Sequence, residues 1–215
     1  MRSRRSTHPR GGIKVGCMIA AAVGVMLLVI TAFTMVGRYN SLVGMQETTE
    51  AAWSEIDNQY KRRFDLIPQL VATVKGAADF EKSTLEAVTE ARASVGRAQL
   101  PPGLPDDPAQ LQNYIQAQQG LGSALGRLFV VVERYPELKA SRRFGRLQDD
   151  LSEIEDNLQN ARRYYNAVVR DLNTALAKFP NLLVTRFFAF RRRDFFELDS
   201  PLERQVVAID IDNEE

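Results

Sequence analysis

One run of this chain, Val15 to Val36, contains no charged side chain. As an α-helix its 22 residues rise about 33 Å, enough to cross a hydrocarbon core of about 30 Å. The run exceeds the ~7–15 apolar residues of a cleaved signal peptide, and no small-x-small site follows it. Cys17, the only cysteine, lies inside it. A lipidated cysteine needs its apolar stretch before it, and here the stretch follows. A retained transmembrane helix over 15–36 is therefore expected. Beyond it, a chain of 215 residues has room for one folded domain. A lone cysteine excludes an intrachain disulfide framework. A net charge of +1 gives no global attraction for polyanions, and no nucleic-acid partner is expected.

Charge sets the expected orientation. Residues 1–14 form a basic segment with Arg2, Arg4, Arg5, Arg10 and Lys14 and no acid. The other flank has Arg38, then Glu47 and Glu50. Basic loops stay in the cytoplasm. The N-terminus is thus expected to be cytoplasmic and the following domain extracytoplasmic in a single-pass protein of the cell membrane, although Lys61-Arg62-Arg63 reduces the asymmetry.

Past the anchor the periodicity is helical. The clearest helix runs from about Ser141 to Phe179, with an apolar seam at Phe144, Leu147, Leu151, Ile154, Leu158, Ala161, Tyr165, Val168, Leu172, Ala175 and Phe179. Alternating steps of three and four are a coiled-coil-like surface for packing against other helices. Ser141 suits the N-cap and Pro180 the stop. A second helix is expected from about Pro108 to Arg134, capped by Asp107. Gly120, Gly122 and Gly126 weaken it by up to ~1 kcal/mol each. They either admit a close neighbour or mark a tolerant surface. Leu100 to Pro108 reads LPPGLPDDP and must be a loop. Upstream, 66–98 and Tyr39–Phe64 both read as helical. Pro68 either starts a new helix after a turn near Asp65 or kinks one long helix. The turn is favoured, because four antiparallel helices bury a core better than three unequal ones.

With these segments placed, three blocks resemble the LemA family. The first is Tyr39-Asn40-Ser41-Leu42-Val43. The second is Ala52-Trp53-Ser54-Glu55-Ile56-Asp57, Lys61-Arg62-Arg63, Asp65-Leu66-Ile67-Pro68 and Val71-Ala72-Thr73-Val74-Lys75-Gly76. The third joins Tyr135-Pro136-Glu137-Leu138-Lys139-Ala140-Ser141 to Ala161-Arg162-Arg163-Tyr164-Tyr165-Asn166 and Phe179-Pro180-Asn181. The resemblance implies a membrane-anchored bacterial protein with an up-and-down four-helix domain and no established biochemical activity. It also implies a partner that is another membrane or envelope protein. Where the family often has a His before a glutamate, this chain has Phe80 before Glu81, so any metal or proton role of that histidine is absent.

The resulting expectation is an all-α chain. An N-terminal transmembrane helix leads into an antiparallel up-and-down four-helix bundle over 39–179. A Phe/Arg-rich membrane-proximal segment over 180–199 and an acidic tail over 200–215 follow, the tail forming one short strand at most. Its only histidine, His8, precedes the anchor. The domain thus lacks the commonest general base and metal ligand. No Glu-x-x-His pair, catalytic triad or phosphate-cradling loop is readable. Glu153 and Glu155-Asp156 read as salt-bridging helix carboxylates. No enzyme activity, metal or cofactor is expected, and the chain reads as a scaffold or adaptor of the cell envelope, or alternatively as a lipid-binding or membrane-shaping protein acting through the Phe/Arg-rich segment.

Two surfaces remain as candidates. With a turn near Asp65, the turn from Arg63 to Pro68 and the connection from Glu133 to Ser141 would meet at the membrane-distal tip of the bundle. Lys61, Arg62, Arg63, Asp65, Arg134, Tyr135, Glu137 and Lys139 would then form a basic docking tip for a partner, with Tyr60, Phe64, Arg142 and Arg143 nearby. The bland alternative is turn and capping chemistry with internal ion pairs. The second surface is Arg186, Phe187, Phe188, Phe190, Arg191, Arg192 and Arg193, which suits a membrane interface with lipid as partner. Alternatively its phenylalanines fold back to close the bundle core. The long seam also leaves room for homo-oligomers, though a four-helix core would use most of it.

Overall fold

A computed structural model describes residues 11–77, 80–101 and 103–196. The first ten residues and the acidic tail, with its expected strand, lie outside the described residues. Among the described residues six helices follow in order: α1 Gly11–Lys75, α2 Lys82–Arg97, α3 Pro108–Val132, α4 Pro136–Lys139, α5 Arg142–Ala177 and α6 Asn181–Phe187. Among the described residues there is no strand.

The favoured turn near Asp65 is not there. α1 runs unbroken through Pro68 to Lys75. A proline inside a helix removes the N–H that would bond the carbonyl four residues earlier, here that of Phe64. Arg92 of α2 replaces it: its Nε donates to the Phe64 carbonyl at 3.2 Å. The same guanidinium lies 3.8 Å over the Phe64 ring, a favourable cation–π arrangement. Pro68 itself is exposed, so its ring displaces no core side chain. The chain reverses instead between Lys75 and Lys82.

Backbone contacts divide the chain into two compact units. One comprises 1–46 and 172–192, the other 47–171 and 193–215.

In the second unit, α1, α2, α3 and α5 share one core. Ile67, Leu70 and Val74 of α1 pack with Val88 and Val95 of α2, with Leu121 to Val132 of α3, and with Phe144, Leu147 and Leu151 of α5. A second cluster holds Trp53, Ile56, Leu111, Tyr114, Ile154, Leu158 and Tyr165. Asp107 caps α3 by accepting the Ala109 N–H at 2.9 Å, with Pro108 in the first turn. The Phe144 N–H reaches Ser141 Oγ at 3.5 Å, the expected cap of α5. The α5 seam departs from the strict heptad at its end. Val169 rather than Val168 is fully buried, and Leu176 joins Leu172 and Ala175. A helix with 3.6 residues per turn drifts by ~20° per heptad from a 3.5 repeat, enough to shift the buried row after several turns. Phe179 lies beyond the end of α5 and is exposed.

In the first unit, the apolar stretch of α1 is uncovered. Residues such as Phe33 and Leu28 are 83% and 71% exposed. α1 is long and apolar enough to cross a membrane. Thr31 and Thr34 bond back to the carbonyls of Leu27 and Thr31, each at 2.8 Å, so their hydroxyls need no water. Past the apolar stretch, Leu42 packs with Leu172, Ala175, Leu176 and Val184, flanked by Met35, Tyr39, Met45 and Phe190.

If Arg92 compensates for Pro68, the two substitutions must couple. In urea unfolding followed by Trp53 fluorescence, Arg92→Met should cost about 1–3 kcal/mol. In a Pro68→Ala background, with the backbone N–H at position 68 restored, that cost should fall by about 1 kcal/mol. Additive effects would remove the explanation.

Candidate functional site

Arg63, expected on a docking surface, is buried. Ile56, Tyr60, Arg63, Ile67, Leu70 and Val74 are spaced four, three, four, three and four residues apart, which puts Arg63 on the core face of α1. It is 4% exposed. Its NH2 donates to the Gln118 carbonyl at 3.1 Å and to Gln118 Oε1 at 2.6 Å. Its NH1 meets Glu155 Oε2 at 3.2 Å. Gly122, one turn along α3, lies beside it: a Cβ there would sit 3.9 Å from Arg63 NH1, in ordinary van der Waals contact. Of the three expected glycine approaches, this is the one with a neighbour.

Arg162 completes the cluster. Its NH2 donates to the Tyr60 hydroxyl at 2.8 Å, and its NH1 lies 3.6 Å from Glu155 Oε1. Both guanidiniums flank the Tyr60 ring, at 5.0 and 5.5 Å from its centroid. Two guanidiniums thus share one half-exposed carboxylate, and the Nε of each has no partner. Burial lowers the Arg63 pKa, opposed by Tyr60 and Glu155. Tyr60 is pushed up by burial despite its two arginines. Burial also raises Tyr114, and it raises Tyr165 to about 12. Phe196 seals this region. It stacks on Tyr60 at 6.3 Å, and its backbone exchanges two hydrogen bonds with the Asn166 side chain, at 2.8 and 3.0 Å. The sequence reading missed Tyr114, Gln118, Arg162 and Asn166 as a linked set. Arg63 carried a signal in its place in the apolar spacing, and Tyr114 and Gln118 in theirs on the seam of α3 with Leu111 and Leu121, where both are buried.

The two blocks of the expected tip do not meet. Tyr135 packs on Phe80, with ring centroids 4.9 Å apart, and Arg134 pairs with Glu81 at 3.2 Å. Residues 133–141 therefore meet the connection between α1 and α2, not 61–65. Gln118, which holds Arg63, lies about 21 Å of helical rise before Val132. Lys61 pairs with Asp57 at 2.7 Å, which raises the Lys61 pKa, first through that hydrogen bond. Lys139 pairs with Glu133. Arg62, Asp65, Glu137, Arg142 and Arg143 are exposed. Such exposed pairs are worth about 0–1 kcal/mol.

A cleft of about 520 Å³ opens between α1, the loop after α2, and α3, lined by Trp53, Asp57, Tyr60, Gln99, Tyr114 and Gln118. Asp57 is held by Lys61, and both phenols stay neutral at ordinary pH. The cleft offers hydrogen-bonding groups, aromatic surface and the Asp57–Lys61 ion pair. Among the described residues no cluster of three His, Cys, Asp or Glu side chains could hold a metal.

The Phe/Arg segment divides into parts. Phe195 and Phe196 belong to the core of the second unit. Arg193 is partly buried and pairs with Asp106. In the first unit, Phe188 and Phe190 fold onto Tyr39, with ring centroids at 4.7 and 5.6 Å. Phe187 points away and is 80% exposed. Arg186, Arg191 and Arg192 are exposed.

The amino-acid sequence has known relatives. The LemA family profile matches residues 52–211. The chain is 27% identical over 197 residues to magnetosome protein MamQ 2 of Paramagnetospirillum magneticum, covering 83% of this chain and 72% of the relative. It is 26% identical over 191 residues to magnetosome protein MamQ of Magnetospirillum gryphiswaldense, covering 81% and 70%. It is 26% identical over 183 residues to Protein LemA of Metamycoplasma hominis, covering 85% and 77%.

Arg63→Ala should cost about 2–4 kcal/mol, because it leaves a cavity and unpairs the Gln118 carbonyl. Arg63→Lys should recover only part, since one ammonium cannot span both partners. Arg62→Ala should stay within about 0.5 kcal/mol. Equal effects at 62 and 63 in denaturant titrations would contradict the burial of Arg63. The tyrosines set an alkaline limit. Their folded pKa values lie above the unfolded value, so their contribution is complete below about pH 10 and is lost as pH rises through the folded values. Stability should fall from about pH 10 towards 12, and Tyr165→Phe should flatten the fall. A flat profile would contradict it.

Proposed function

The chain belongs to the LemA family, and from that premise we propose that it is a membrane-anchored helical scaffold or adaptor of the bacterial cell envelope, without catalytic activity of its own. The observation that carries the reading is a single helix, α1, that contains an uncovered apolar span and also contributes the central row of a packed core. We read the shared core of α1, α2, α3 and α5 as an up-and-down four-helix bundle. Its reversal lies at residues 76–81 rather than near 65. The absence of histidine beyond His8 supports a binding role over acid–base chemistry. The proposed partner is another membrane or envelope protein. The docking surface is then the end formed by Phe80, Glu81, Arg134, Tyr135, Glu137 and Lys139, rather than one built on Arg63. The buried seam of α5 disfavours that helix as a dimer interface. The N-terminus is proposed to be cytoplasmic.

A second reading has its own observation. Phe187 is exposed beside arginines and next to the end of the span, which favours direct contact with lipid.

Photo-reactive residues at Tyr135, Arg62 and Phe187 of the full chain, activated in native membranes, test both. The adaptor role predicts one reproducible protein adduct at Tyr135, recovered reciprocally from the partner. No protein adduct at Tyr135 or Arg62, with lipid at Phe187, would replace it with the lipid-contact reading. In a Cys17→Ser background, a Ser141→Cys thiol should react with an impermeant reagent in intact cells. Protection there would reverse the topology.

A further inference from the structure

Charge is sorted between the two units. The first, residues 1–46 and 172–192, contains no aspartate or glutamate. Five cations precede the span: Arg2, Arg4, Arg5, Arg10 and Lys14. Five more follow it: Arg38, Lys178, Arg186, Arg191 and Arg192. Among the described residues the other unit holds 17 cations and 19 carboxylates, a net of −2. A charge of +1 for the whole chain hides this division.

Geometry concentrates the second group of five. Arg38 lies two residues past the apolar run, and Tyr39 beside it receives the Phe188 and Phe190 rings. Those contacts bring the arginines at 186, 191 and 192 to the end of the span. α6 is held by its inner side, where Val184 is 1% exposed in the core and Asn181 Nδ2 donates to the Ala175 carbonyl at 3.0 Å. Its other side presents Leu182, Leu183, Arg186 and Phe187 together, within about 140° of arc at 100° per residue. An apolar face with a guanidinium in its middle, beside a membrane span, matches the boundary between acyl chains and headgroups. No carboxylate in the same unit competes for those guanidiniums.

We infer that this unit is a recognition surface for anionic phospholipid, with the headgroup phosphates held by Arg186, Arg191 and Arg192 and α6 immersed beside the span through Leu182, Leu183 and Phe187. The inference rests on the lipid-contact reading above and adds the headgroup charge to it. The bilayer is the occupant because the span of the same unit fixes where that unit must lie.

The full chain in nanodiscs of phosphatidylcholine, with or without phosphatidylglycerol, tests this with two readouts. A spin label at Phe187→Cys in a Cys17→Ser background reports immersion by oxygen against nickel-chelate collision. Native mass spectrometry of the released protein reports which lipid it retains. The inference expects immersion, with enrichment of phosphatidylglycerol that falls about fivefold for each arginine changed to Gln among 186, 191 and 192. Immersion with equal retention of both lipids, or enrichment that survives the triple Arg→Gln variant, overturns the headgroup inference and leaves the lipid-contact reading standing. A label in water in both bilayers overturns both.

Discussion

The structure depends on α1 continuing through Pro68. A proline there should break the helix, because it leaves one carbonyl without a donor and crowds it. The break is avoided because Arg92 reaches across from α2 and takes the Phe64 carbonyl while stacking on the Phe64 ring. An unpaired carbonyl costs up to about 1–3 kcal/mol when fully buried, and the Phe64 carbonyl is partly buried, so its loss is a noticeable share of a typical domain stability of about 5–15 kcal/mol. With the helix intact, Ile67, Leu70 and Val74 stay in register with Ile56 and Tyr60. One face of one helix then supplies core from Trp53 to Val74. The chain turns only after Lys75, and every later pairing follows from that placement.

That single displacement explains which parts were legible in the sequence. The apolar span, the capped start of α3, the proline-rich loop and most of the α5 seam rest on local rules, and each stands where the residues put it. The turn near Asp65 rested on the local meaning of proline, and the decisive group, Arg92, lies 28 residues further on. No local pattern in a single sequence reports such a partner. The exchange of Val168 for Val169 has a different origin, the slow drift of a straight helix against a seven-residue repeat. Moving the turn from 65 to 76–81 also undid the expected tip, since Tyr135 follows the turn and meets Phe80.

Function divides along the same line. Arg63 looked like surface charge because three basic residues in a row suggest a basic patch. Its neighbours Lys61 and Arg62 fit that description, whereas Arg63 is the buried centre of an array with Tyr60, Gln118, Glu155 and Arg162. Such an array holds α1, α3 and α5 together and leaves little for a ligand. The exposed and chemically distinctive surface is instead the carboxylate-free unit around the span. The arginines of the Phe/Arg segment gain meaning there from packing. Phe188 and Phe190 anchor the segment on Tyr39 and leave Phe187 and its cationic neighbours outward.

The core register of α1 rests on an unbroken helix between Phe64 and Val71. Amide hydrogen exchange of the intact chain, read on peptides that cover 64–72, tests it most directly. A continuous helix held by the core predicts protection there comparable to residues 121–128 of α3 and far above the proline-rich loop at 99–107. Exchange at 65–69 as fast as in that loop would mean a turn, and the register of the core described above would be wrong.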